Sequence, residues 1–133
     1  MKVFADTYFF LALVNYSDPG RPSAAKFAAY SDLRIVTTWP VLLEFADGMC
    51  AHGRRHLAVS MIKSYRQNPK TELLPISETQ IDVGLRLFAQ RPDKDWSLTD
   101  CISFVAMEEH GITEALTADK HFEQAGFTAL LRE

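Results

Sequence analysis

Cysteine is scarce in this 133-residue chain: only Cys50 and Cys101 occur, far apart and outside any Cys-x-x-Cys pattern. No disulfide framework is expected, and both read as reduced core thiols. Long hydrophobic runs are missing as well, none approaching the ~18 residues that a membrane span needs. The apolar start, MKVFADTYFFLALV, is interrupted by Asp6 and followed by no small-residue cleavage site, so it reads as structure rather than as a signal peptide. There is no Gly-x-Gly-x-x-Gly or Walker loop to hold a nucleotide, and no Gly-x-Ser-x-Gly elbow to present a nucleophilic serine. Basic excess is absent too, with 14 Lys and Arg against 17 Asp and Glu and a net charge of −3. At face value that balance argues against a nucleic-acid partner. Repeats, low-complexity segments and linkers are also lacking. What remains is ordinary: 47% hydrophobic and 23% charged residues, as in a soluble, cytoplasmic protein that does not engage a membrane. The length suits a single domain over residues 1–133, burying roughly 68% of its unfolded surface.

Turn signals punctuate the chain at Asp18-Pro19-Gly20, Gly53, Asn68-Pro69, Arg91 to Ser97, Gly111 and Gly126. Between them strand and helix patterns alternate. Strands are expected over Val3–Ala5, Arg34–Thr38, Leu73–Ile76, Thr113–Thr117 and Phe127–Leu130. Helices are expected over Ser23–Leu33, Val41 to about Cys50, His56–Gln67, Glu78–Ala89 and Leu98–His110, with a short turn at Lys120–Gln124. Pro40 fits a first helical turn. Ser77 with Gln80, and Ser97 with Asp100, have capping-box spacing ahead of their helices. This alternation predicts an α/β protein with a central parallel sheet and helices on both faces. Ligands of such sheets bind outside the carboxyl ends of the strands.

That edge collects acids. Asp6 directly follows the first strand, and Asp119 comes two residues after Thr117. Asp100 lies in the first turn of the helix that feeds the Thr113–Thr117 strand, and Glu44 about one turn into the helix after the second strand. Four ionised carboxylates in one cleft repel one another unless a cation joins them. A hard divalent ion with oxygen ligands, Mg²⁺ or Mn²⁺, is the natural guest. Such a centre activates water and stabilises a leaving oxygen, which is the chemistry of phosphodiester hydrolysis. Each acid also has a plain structural reading: Asp100 as a capping-box residue, Asp6 and Asp119 as turn or N-cap aspartates, Glu44 as a solvated helix position.

At these residues the chain resembles the PIN-domain family and, within it, VapC-like toxin ribonucleases. The resemblance rests on Val3-Phe4-Ala5-Asp6-Thr7, Val41-Leu42-Leu43-Glu44-Phe45, Ser97-Leu98-Thr99-Asp100-Cys101 and Leu116-Thr117-Ala118-Asp119-Lys120-His121-Phe122, and spans essentially the whole chain. It implies a three-layer α/β/α sandwich with strand order 3-2-1-4-5 and a metal site of Asp6, Glu44, Asp100 and Asp119, binding one or two Mg²⁺ or Mn²⁺ ions. It further implies endoribonuclease activity on an RNA substrate, a cognate antitoxin protein as partner, and a homodimer. Thr7, Asp95 and Thr117 are accessory candidates, with plain alternatives: Asp95 as a loop or helix-entry charge, Thr7 and Thr117 as core-edge hydroxyls. Tyr8 departs from the family, which usually carries a small Ser, Asn or Gly two residues after the first Asp.

Gly48–Thr71 contains no acid but carries Arg54, Arg55, Lys63, Arg66 and Lys70, with His52, His56 and Tyr65 interleaved. Arg54, Arg55, Lys63 and Arg66 are RNA-phosphate candidates, with Tyr65 offering a stacking face. The alternative is a solvated helix face with Leu57, Ile62 and Tyr65 packed inward. Cys50, His52 and His56 only superficially suggest zinc, since Gly53 interrupts them and no fourth ligand is evident. His121, two residues past Asp119, has two readings: a phosphate donor or general acid near the cleft, or, as the plainer one, a helix-end histidine. Two other functions compete with an antitoxin-controlled toxin: an RNA-processing PIN nuclease without an antitoxin, and a Mg²⁺-binding receiver-like signalling domain. The last lacks paired acids before a phosphoacceptor strand, and Asp100 and Asp119 come too late in the chain for it.

Overall fold

The computed structural model describes residues 1–51 and 53–132. Its elements run β1 (Lys2–Ala5), α1 (Thr7–Val14), α2 (Arg21–Ala28), β2 (Arg34–Thr38), α3 (Trp39–Gly48) and α4 (Arg55–Gln67). The second half continues with β3 (Thr71–Leu74), α5 (Glu78–Gln90), α6 (Leu98–Glu109), β4 (Glu114–Leu116), α7 (Lys120–Gln124) and β5 (Thr128–Ala129). The five strands form one sheet in the order β3-β2-β1-β4-β5, and every pairing is parallel. This is the expected α/β/α architecture and strand order. The order reverses direction between β1 and β4, where parallel sheets open a crevice at their carboxyl edge.

Local chemistry explains most element boundaries. The Thr38 hydroxyl accepts from the Val41 amide at 3.3 Å and so starts α3 at Trp39, two residues before the expected Val41. Both capping boxes form, Ser77 with Gln80 and Ser97 with Asp100. β3 spans Thr71–Leu74 rather than Leu73–Ile76, because Pro75 has no N–H to give a ladder. β4 and β5 are each shorter than expected, and only two residue pairs join them. α2 opens at Arg21, with Pro22 in its first turn, and ends at Ala28, short of Leu33.

One helix has no counterpart in the sequence reading. α1, TYFFLALV, is apolar on nearly every side, and Thr7, Phe9, Phe10 and Ala12 are all buried. A helix with no polar face shows no 3.6-residue period.

The core aligns the edge. Phe122 is fully buried and packs on Phe4 and Phe104, with ring centroids 6.4 Å and 4.9 Å away. Phe45 packs on Phe10 at 5.7 Å. Tyr65 meets Phe10 edge-on at 5.2 Å and Phe9 at 6.3 Å. Tyr65 is therefore a core-edge residue packed against two phenylalanines, as in the inward-packed alternative, rather than a ring standing free to stack on RNA. Ile62 packs inward as well, but Leu57 is 41% exposed and Ala58 takes the buried position beside it. Cys101 is buried as expected, whereas Cys50 is exposed and is no core thiol. His52 lies outside the described residues, so the Cys50-x-His52 pattern has no structural test.

Candidate active site

Each acid is set by an apolar neighbour in the chain. Asp6 follows the buried Ala5 of β1, Glu44 precedes the buried Phe45, Asp100 precedes the buried Cys101, and Asp119 lies three residues before Phe122. Burial of the neighbour leaves each carboxylate little choice of direction. The β1–β4 register pairs Ala5 with Leu116, which brings Asp6 alongside Thr117. The Thr117 hydroxyl donates to Asp6 Oδ2 at 3.1 Å and accepts from the Asp119 amide at 3.0 Å. One threonine thus links two of the acids.

The same cluster gathers the others. The Thr7 hydroxyl donates to Glu44 Oε1. Asp100 Oδ2 accepts from the Ser97 amide at 3.1 Å and faces His121 Nδ1 at 3.0 Å. Asp100 is therefore a capping-box residue and a member of the cluster at once; the two readings were never exclusive. Asp119 caps α7 through its Oδ1, which accepts from the His121 amide at 2.9 Å, and the same oxygen lies 3.2 Å from His121 Nδ1. Among the described residues, Glu44 Oε2, Asp100 Oδ1 and Asp119 Oδ2 enter no hydrogen bond within the protein.

Electrostatics follow from the crowding. Asp6 is 4% exposed, and burial raises its pKa to about 7, with the charges of Asp100 and Glu44 pushing the same way. The Thr7 amide and the Thr117 hydroxyl pull it back. Asp100 is also raised, first by burial and then by Asp119, against hydrogen bonds from Ser97 and His121. Burial, with Asp100 beside it, lifts the Cys101 thiol to about 11, which makes it unreactive as a nucleophile. An Asp6 carboxyl that resists ionisation, beside oxygens of Glu44, Asp100 and Asp119 that lie outside protein hydrogen bonds, suits a hard cation.

All four expected acids, with Thr7 and Thr117, are thus brought into one cluster. Asp95 is not among them: it is exposed and enters none of the cluster's hydrogen bonds or ion pairs. Tyr8 turns away to donate to Asp18 Oδ1 at 3.0 Å. Gly20 makes room for that phenol, since a Cβ there would lie 2.0 Å from its oxygen. His121 meets both expectations: α7 is only five residues long, so the residue counts as the basic group of its last turn, and its ring faces Asp100 and Asp119 in the cleft. The available signal was its position two residues after an N-cap aspartate of the cluster.

Of the basic candidates, Arg54 is the residue before α4, Arg55 donates to the Cys50 carbonyl at 3.2 Å, and Lys63 is exposed. The Arg66 guanidinium lies over the Trp39 ring, 5.0 Å from its centroid, beside the start of the helix that carries Glu44. An apolar cavity of about 450 Å³, lined by Met1, Phe27, Tyr30 and Leu33 among others, contains none of the four acids.

The PIN-domain family model matches residues 3–128. No curated protein matches the sequence. Among solved structures, VapC20 of Mycobacterium tuberculosis, a toxin that cleaves the sarcin–ricin loop, superposes with a TM-score of 0.86 at 23% identity, over 95% of this chain and 96% of that one. FitAcB from Neisseria gonorrhoeae superposes with a TM-score of 0.66 at 15% identity, covering 97% of this chain and 96% of that one. VapBC2 from Rickettsia felis, bound to a DNA fragment from its promoter, does so with a TM-score of 0.68 at 13% identity and the same coverage. At these identities the likeness is one of fold.

Proposed function

The chain belongs to the PIN-domain family, and from that premise we propose that it is a metal-dependent endoribonuclease, the toxin of a VapBC-type toxin–antitoxin pair. The observation that carries this reading is the meeting of Asp6, Glu44, Asp100 and Asp119, from four separate parts of the chain, at the carboxyl edge where the strand order reverses. Their donor set is all oxygen and fits Mg²⁺ or Mn²⁺, as one ion or two. When bound, a divalent cation supplies Lewis acidity for activating water and stabilising charge on a phosphodiester.

The chain's own residues do the positioning. Thr117 orients Asp6, Thr7 orients Glu44, and the Ser97 amide holds Asp100. Arg54, Arg55, Lys63 and Arg66 contribute positive charge for RNA phosphates. Asp95, two residues before the capping serine, is exposed and has no part in holding the cluster, so it acts here only as a helix-entry charge. The likeness to VapBC2 and FitAcB supports an antitoxin partner, and the reading includes a cytoplasmic homodimer.

Two experiments test this. Purified protein is incubated with ribosomal RNA that contains the sarcin–ricin loop, in Mg²⁺ or Mn²⁺ and in EDTA. Cleavage in metal alone, absent from the Asp6→Asn variant, is the expected result; cleavage unaffected by EDTA defeats the proposal. Induction in a bacterial host should arrest growth for the wild type only, with relief when a cognate antitoxin is co-expressed. Arrest by Asp6→Asn as well would separate any toxicity from this site.

A further inference from the structure

We propose that His121 is itself part of the metal site, so that His121, Asp100 and Asp119 form a mixed nitrogen–oxygen cation position favouring Mn²⁺ over Mg²⁺. The inference rests on the metal-dependent reading above and assigns that site a ligand outside the acidic set. His121 Nδ1 lies 3.0 Å from Asp100 Oδ2 and 3.2 Å from Asp119 Oδ1. One ligand atom from each of the three residues falls within 4.8 Å of the others, a spacing at which a single ion reaches all of them. The backbone holds this arrangement. The His121 amide donates to Asp119 Oδ1 at 2.9 Å, and Phe122, the next residue, is locked between Phe4 and Phe104. The ring itself is largely enclosed, with 18% of the side chain exposed.

The donor types then decide the metal. Mg²⁺ takes oxygen ligands and gains little from imidazole, whereas first-row transition ions accept nitrogen readily. Asp100 is shared between this corner and the corner of Asp6 and Glu44, since it acts electrostatically on Asp6 while touching His121. The second corner is all oxygen. The site is therefore asymmetric, with one end suited to Mn²⁺ and the other indifferent between Mn²⁺ and Mg²⁺. The competing arrangement keeps the imidazole as a hydrogen-bond donor between two carboxylates, with the ion held by oxygen alone.

Pulsed electron paramagnetic resonance on the full chain loaded with Mn²⁺ separates the two. Wild type is expected to show nitrogen coupling from a directly bound imidazole, and His121→Asn is expected to lose it. In calorimetric titrations, His121→Asn should weaken Mn²⁺ binding by about tenfold or more, with Mg²⁺ binding changed far less. Mn²⁺ bound with no nitrogen coupling in wild type overturns the inference while leaving the nuclease reading intact. Equal weakening of both metals overturns the selectivity. If wild type binds no Mn²⁺ at all, the metal-dependent reading falls together with the inference. The wild-type spectrum answers the ligand question even if the variant folds poorly.

Discussion

Asp6 is held in a place where its charge is unwelcome. Burial first, and Asp100 second, raise its pKa from 3.8 to about 7. A carboxyl group that binds its proton more tightly when folded favours the folded state fully below about pH 4, and that contribution is lost as pH rises through about 7. The metal-free chain is thus expected to lose stability between pH 4 and 7 from this residue, measured as the denaturation midpoint against pH in EDTA. The Asp6→Asn variant should show a shallower decline and, at pH 8, a higher midpoint than wild type. In the same variant metal-dependent cleavage should fall to background, a loss of about a hundredfold or more. Gain in stability with loss of activity is the signature of a functional residue kept against its folding cost. A midpoint lowered by Asp6→Asn would mean that the carboxylate is stabilising and that its crowding has been misjudged.

Among elements, the α5–α6 contact sets where Asp100 stands. A Cβ on Gly84 would lie 2.8 Å from Ile102 Cγ1 and 3.5 Å from the Ile102 backbone, two residues beyond Asp100. Gly84→Ala gains about 1 kcal/mol of helix propensity but forces α6 or Ile102 to move, which typically costs about 1–3 kcal/mol. A net loss of about 1 kcal/mol, or a fall of roughly 4 °C in melting temperature, is expected. An unchanged or raised melting temperature would mean that Ile102 simply turns aside. Elements also show what a sequence can and cannot reveal. α5 and α6 were legible because capping boxes mark their starts and polar residues give them a period. α1 was not, because a helix buried on most sides has no period to read. Tyr65 looked available for stacking because its neighbours in sequence are polar; its neighbours in space are Phe9 and Phe10, more than fifty residues away in the chain. His121 kept two readings for a related reason: a ring's direction is set by α7 and by Asp100, 21 residues before it.

For the whole molecule, charge distribution matters more than total charge. Without Asp6, Glu44, Asp100 and Asp119, 13 acids face 14 bases, so the net of −3 is largely the cluster itself. On the proposed nuclease reading, bound cations would offset that negative charge, and the basic stretch around α4 would then attract RNA. The acids were legible as a set because topology follows from the alternation of strands and helices, and topology dictates which loops share an edge. Thr7 and Thr117 were legible only as accessory candidates; that they hold Glu44 and Asp6, and that the His121 ring faces Asp100, depended on register and side-chain direction, which spacing does not encode. The most direct test of the account is the chemistry of the cut ends when purified protein cleaves RNA in Mn²⁺. Attack by an activated water leaves no 2′,3′-cyclic phosphate, and EDTA should stop the reaction until metal is restored. Cyclic phosphate ends, or cleavage that continues in EDTA, would contradict a metal-centred role for the four acids.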